Sequence, residues 1–190
     1  MRLPRLRKVI EWLVTLGVVT GVVLAFEAEI AQPFRVPSSS MSPTLVCARP
    51  APGCTARFDQ RVLVARVVYD FRNPRRGEIA VFHAPPRARQ ECSEGGIFLK
   101  RVIGLPGDVV SERHGYVYVD GKRLKEPYVK SGERDFMTKT WRKLGPGRYF
   151  VMGDNRSDSC DSRTWGPVRR SAFIGPVVAT YWPPARWAVG

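Results

Sequence analysis

A mainly β body with a small inserted lobe, preceded by one transmembrane helix, is the fold class that the sequence predicts. Three observations lead there. The chain is rich in punctuation, with 16 Pro and 17 Gly among 190 residues, which favours many turns and short elements over helix bundles. Short β-type runs recur beyond residue 26, where no segment of usual helix length carries a convincing amphipathic pattern. The one long apolar segment stands at the N-terminus. A hydrophobic content of 44% belongs to a folded chain rather than a disordered one. There are no internal repeats.

The N-terminal segment comes first. Residues 1–8 carry four basic residues and no acid, and the apolar stretch Val9–Phe26 is broken only by Glu11. Its 18 residues sit near the lower limit for crossing the hydrocarbon core as a helix. Glu27 and Glu29 mark its far boundary. The basic flank stays inside by the positive-inside rule, which puts residues 27–190 outside the cytoplasm. A cleavable secretory signal shares the basic start, but its apolar region is shorter, and E-A-E-I-A-Q-P offers no small-x-small cleavage pattern. The expected organisation is therefore a basic N-terminus at 1–8, a membrane anchor at 9–26 and an extracytoplasmic domain at 27–190.

The outer part follows in short elements. Residues 30–60 are Pro- and Ser-rich and read as loop. Strands are expected at Arg61–Tyr69, Glu78–His83, Ile97–Ile103, Val109–Ser111 and Tyr116–Val119, where Asp120-Gly121 gives a hairpin signal. An inserted lobe covers about 112–147, with its most polar stretch at 122–147. Further strands are expected at Arg148–Met152 and Val177–Trp182.

The net charge of +14 falls to +11 once residues 1–11 are set aside. Nucleic acid and anionic membrane are the partners such a charge invites. The anchor and the lack of a DNA-reading motif argue for lipid and against nucleic acid. Four cysteines, Cys47, Cys54, Cys92 and Cys160, allow three pairings, and an extracytoplasmic site permits disulfides. Cys47 and Cys54 flank a short loop suited to a local clip, with Cys92 and Cys160 left over. No C-x-x-C spacing and only two isolated histidines argue against a metal site. No cofactor is indicated.

Three segments carry chemistry. In P-S-S-S-M-S-P-T-L, Pro37–Leu45, prolines bracket a serine cluster, which excludes helix and central strand. The cluster begins close after the apolar stretch, so whatever it does happens near the lipid surface. In G-G-I-F-L-K-R-V-I-G-L-P-G-D, Gly95–Asp108, Lys100 sits in an apolar β run, with Phe98 and Val102 on its own face. One reading is an exposed strand lysine. The other is a desolvated lysine that accepts a proton, and lowering its pKa from about 10.4 to about 8 requires roughly 3 kcal/mol of destabilisation of the charged form. The third segment, G-D-N-R-S-D-S-C-D-S-R at Gly153–Arg163, is crowded with turn residues and with charges that can pair.

These three segments, with R-R-G-E-I-A-V-F at Arg75–Phe82, resemble in composition and order the sequence boxes of bacterial type I signal peptidases. The resemblance spans most of residues 9–182. It implies a signal-peptidase-like curved β-sheet body, also similar to self-cleaving repressors, and a Ser/Lys-dyad serine endopeptidase. Ser40 matches the nucleophile and Lys100 the general base. Ser38, with the backbone N–H of Ser40, matches the oxyanion hole, and Ser159 the residue that orients the lysine. Asp161 and Arg163 match a structural ion pair. Phe34, Val36, Met41, Phe98 and Leu99 match the apolar subsites. The implied substrates are exported preproteins cut after small-x-small motifs at the bacterial cytoplasmic membrane. A specialised peptidase for one substrate class, such as pilins, is a second reading, and an inactive membrane-surface binding module a third. Ser157-Asp158 and Cys160 depart from the family's usual Asp-Asn and small residue. His83 and His114 lie in segments not otherwise built for catalysis.

Overall fold

The structure is a computed structural model that describes residues 3–92, 95–186 and 188–189, with side chains described for 7–24, 31–92 and 95–186. Residues 1 and 2 of the expected basic N-terminus, and 187 and 190 at the far end, lie outside the described residues.

Helix α1 runs Leu3–Ile30 and leads directly into strand β1, Ala31–Arg35. The expected span at 9–26 lies inside α1, yet among the described residues no helix is long and apolar enough to cross a membrane. Arg7, Lys8 and Glu11 enter its first described turns, with Arg7 Nε donating to Glu11 at 3.0 Å. The uncharged run of described side chains therefore begins only at Trp12. Its apolar side chains are nevertheless exposed, from Val9 to Leu24.

The rest is mainly β and antiparallel. Strands β2 (Arg61–Ala65), β3 (Ile79–His83), β4 (Ile97–Gly104), β5 (Val110–Arg113), β6 (Tyr116–Val119), β7 (Lys122–Arg123), β8 (Lys139–Thr140), β9 (Arg148–Met152), β10 (Val168–Arg169), β11 (Phe173–Trp182) and β12 (Ala188–Val189) follow. The larger sheet has the order β1-β2-β11-β3-β4-β9-β10, with β12 also on β11. The smaller sheet, β7-β6-β5-β8, belongs to the inserted region. Its hairpin at Asp120-Gly121 has positive φ at both residues, 50° and 77°, the conformation of a type I′ turn.

Several boundaries differ from the sequence reading. Residues 31–35 form a strand rather than loop, because β1 is an edge strand and Pro33 there forfeits no interior ladder bond. β2 stops at Ala65, and the chain turns into a short helix α2, Val68–Phe71, which buries Tyr69 against Phe173. β11 starts at Phe173 rather than Val177, running through Gly175-Pro176 with a register shift against β3. A side chain at Gly175 would meet the Ala65 carbonyl oxygen at 2.7 Å, so glycine there permits close approach of two backbones. Helix α3, Pro86–Cys92, and helix α4, Ser162–Trp165, complete the fold.

The core lies in three apolar clusters. One gathers Ala80, Phe82, Val102, Tyr149, Val151, Trp165 and Phe173, another Val36, Met41, Leu45, Val62, Val64 and Val81. The third, with Ile103, Val110, Val117, Phe150 and Met152, joins the small sheet to the large one. Disulfides link Cys47 to Cys54 and Cys92 to Cys160.

Candidate active site

The prolines at 37 and 43 leave the serine cluster room for one short turn. It folds as a 3-10 turn, Ser39–Met41, with Ser38 extended before it. The Ser42 N–H closes the turn on the Ser39 carbonyl at 2.9 Å. Ser39, Ser40 and Met41 are buried and Ser38 is exposed. The hydroxyl oxygens of Ser38 and Ser40 lie 3.2 Å apart.

Lys100 comes from the middle of β4. It pairs with Ala80 of β3, and β9 joins β4 on its other side only from Arg101 onward. Among the described residues, the ladder edge of Ile97–Leu99 facing away from β3 therefore carries no strand partner. The expected alternation is realised: Phe98 and Val102 pack in one core cluster and Leu99 in another, against Val36 and Met41. Lys100 is only 4% exposed, with its ammonium nitrogen 5.9 Å from the centre of the Phe98 ring.

A cleft of about 440 Å³ opens where β1 and the turn face this free edge of β4. Ser38, Ser40 and Lys100 line it, with Phe34, Val36, Met41, Phe98 and Leu99. Three of the expected catalytic and oxyanion residues and all five expected subsite residues thus meet in one place. Neither His83 nor His114 lines the cleft. Among the described residues no cluster of His, Cys, Asp or Glu suits a metal ion.

Ser159 is not among the residues that line the cleft. Its hydroxyl oxygen is buried, without a hydrogen-bond partner among the described residues. Gly153 brings it near the nucleophile: a methyl group there would sit 2.2 Å from Ser159 Oγ and 2.4 Å from the Ser40 carbonyl oxygen. Only glycine fits between them.

Asp161 and Arg163 hold this region. Asp161 caps α4 by accepting from the Arg163 N–H at 3.1 Å. The guanidinium then donates to both carboxylate oxygens, at 2.9 and 2.8 Å, and the Gly153 N–H adds a bond at 3.0 Å. Complete burial pushes the Asp161 carboxyl up, but Arg163, Lys100 and the Gly153 N–H together bring it below the usual aspartate value.

Two further links were not legible in the sequence. The Asp154 carboxylate accepts from Arg101 Nε and Nη2 at 2.8 and 2.6 Å and from Thr44 Oγ1 at 2.5 Å, tying β4 to the chain just after the serine turn. Asp158 accepts from Ser39 Oγ at 2.6 Å, while the Asn155 N–H donates to the Ser40 carbonyl at 3.1 Å. The charges of the third segment hinted at ion pairs, but their partners lie roughly 50 to 120 residues away, and no local pattern encodes them.

Comparison with known proteins now decides the family. Residues 9–182 match the family model described as signal peptidase, peptidase S26. The chain belongs to this family. It is thus a serine endopeptidase of the peptidase S26 class. Signal peptidase I of Leptolyngbya laminosa is 36% identical over 176 residues, covering 91% of this chain and 79% of that protein. Signal peptidase IB of Staphylococcus aureus (strain COL) is 29% identical over 193 residues, covering 93% of this chain and 91% of that one. A signal peptidase I crystal structure from Enterococcus faecalis V583 is 31% identical, with a TM-score of 0.47, and covers 56% of this chain and 97% of that chain.

Proposed function

We propose that this S26 peptidase is a signal peptidase I that cuts exported preproteins after small-x-small motifs, with Ser40 as nucleophile and Lys100 as general base. The observation that carries the reading is the single cleft in which Ser40, Lys100, Ser38 and an apolar lining meet. An extended substrate fits there between the outer edge of β1 and the edge of Ile97–Leu99 that faces away from β3, donating and accepting main-chain bonds. Phe34, Val36, Met41, Phe98 and Leu99 then bound the subsites for its small side chains.

The chemistry follows from the group types. The neutral amine of Lys100 takes the Ser40 proton as Oγ attacks the scissile carbonyl. Burial of an amine among apolar groups disfavours its charged form and so suits this role. The oxyanion is met by the Ser40 N–H and the Ser38 hydroxyl. The ammonium formed on Lys100 returns its proton to the leaving amine, and water, activated by the same amine, frees the acyl group. Ser159 orients the lysine, and Asp161 with Arg163 keeps that wall in shape.

Helix α1 suits a membrane anchor, because apolar side chains exposed on all sides call for lipid. The reading places α1 in the cytoplasmic membrane as a single span, with residues 27–190 on the outer side. Lipids and preproteins are then its partners.

The test is cleavage of a preprotein with an Ala-x-Ala site by the detergent-purified full chain. Ser40→Ala and Lys100→Ala should each lose at least ~10³-fold in kcat/KM. Full activity in either variant would overturn the mechanism.

A further inference from the structure

The Cys92–Cys160 disulfide joins two segments that each end at the site. Cys160 follows Ser159 directly in the chain and precedes Asp161. Cys92 closes α3, from which the chain proceeds to Gly95, Ile97 and Phe98 on the cleft wall and then to Lys100. The bond therefore ties the segment that carries Ser159 to the end of α3, ahead of the strand that carries Lys100. Both cysteines are packed against the apolar cluster that includes Phe82, Phe98 and Trp165, so the bridge is anchored in core on both sides.

The Ser159 side chain itself is held by packing against Gly153 rather than by a hydrogen bond: among the described residues its buried Oγ has no partner. Its carbonyl oxygen has one long contact, from Arg163 Nη2 at 3.4 Å. The next residue is thus the covalent constraint nearest to Ser159. The other bridge serves a different part of the site. The Cys47–Cys54 loop carries Gly53, where a methyl group would meet Ser39 Oγ at 2.6 Å and Asp158 Oδ2 at 3.0 Å. That loop backs the serine turn.

We propose that the Cys92–Cys160 disulfide is a positioning element for the general base, so that the proton-transfer step is strong in the oxidised enzyme and weakened in the reduced one. This rests on the Ser40–Lys100 reading. Reduction is a two-electron, two-proton step: a dithiol such as dithiothreitol gives two cysteine thiols and is itself oxidised to its cyclic disulfide. Broken there, the chain around Ser159 gains freedom, and on the reading that Ser159 orients the lysine its hydroxyl no longer stands in a fixed place. Activity thus becomes coupled to the oxidising conditions outside the cytoplasm.

The experiment compares the oxidised, reduced and reoxidised full-length enzyme on one Ala-x-Ala preprotein across pH. Reduction should lower kcat about tenfold and displace the base-dependent limb of the pH profile. Reoxidation should restore both. Cys92→Ala/Cys160→Ala should reproduce the reduced enzyme and no longer respond to dithiothreitol, whereas Cys47→Ala/Cys54→Ala should still respond. Ser159→Ala should remove most of the response, because the bridge acts through that hydroxyl. Circular dichroism checks folding, and the reversible reduction of the unmodified enzyme gives an answer even where a variant does not fold. An unchanged kcat and pH profile on reduction, or an undiminished response in Ser159→Ala, would overturn the inference. Loss of the Ser40–Lys100 reading is distinct: it would be seen as activity persisting in Lys100→Ala.

Discussion

Glu112 is 1% exposed on β5. Its burial, and next the charge of Asp135, push its pKa up from 4.5 to about 7, against the opposing pull of Arg163 and Arg156. A raised carboxyl binds its proton in the folded state while the unfolded chain has already released it. Folding stability therefore falls as pH rises from about 4.5 to about 7, by up to about 3 kcal/mol, and is flat beyond. Glu112→Gln should flatten this slope and leave the variant more stable than the parent at pH 8, as read from urea denaturation across pH. Asp161 works in the opposite sense: its depressed carboxyl contributes stability above the usual aspartate value, lost as pH falls through the folded one. At this scale Ser40 and Lys100 were legible because their types and order match known boxes. Glu112 was not, since a carboxylate looks the same in sequence whether it is solvated or buried, and neither was Asp158, whose partner Ser39 lies 119 residues away.

Elements show the same division. The period-2 pattern of β4 put Phe98, Lys100 and Val102 on one face, and alternation alone sufficed for that. Where β1 lies did not follow from any pattern, because Pro33 is tolerated only by virtue of an edge position that other strands create. The inserted region is held to the Gly153–Arg163 segment by charge. Arg156, 2% exposed, pairs with Glu126, which also accepts from Arg134 at 3.1 Å. Removing one partner leaves a buried charge uncompensated. Glu126→Ala should therefore cost ~3–5 kcal/mol of stability in urea denaturation, and Glu126→Gln, which keeps one acceptor oxygen, should cost less.

At the scale of the molecule, the two sheets and α1 set different demands on solvent. The sheets bury their own apolar faces in three clusters, whereas α1 leaves Trp12, Leu13, Leu16, Val19 and Val23 exposed. The full chain should therefore stay with membranes through alkaline carbonate washing. Leu16→Lys/Val19→Lys, which puts two charges in the middle of the apolar run, should release it into the soluble fraction. Retention of that double variant would mean that some other surface holds the chain to lipid. By itself the sequence determined the mainly β class, the order of the boxes and the identity of the candidate dyad, since these depend on residue type and short-range spacing. Only the tertiary structure decided that β1 borders the cleft, that Arg101, Asp154 and Thr44 form one clamp, that Gly153 brings Ser159 near Ser40, and which cysteines pair. Each of those depends on distances between segments far apart in the chain, and such distances are set by how the sheets pack rather than by any local run of residues.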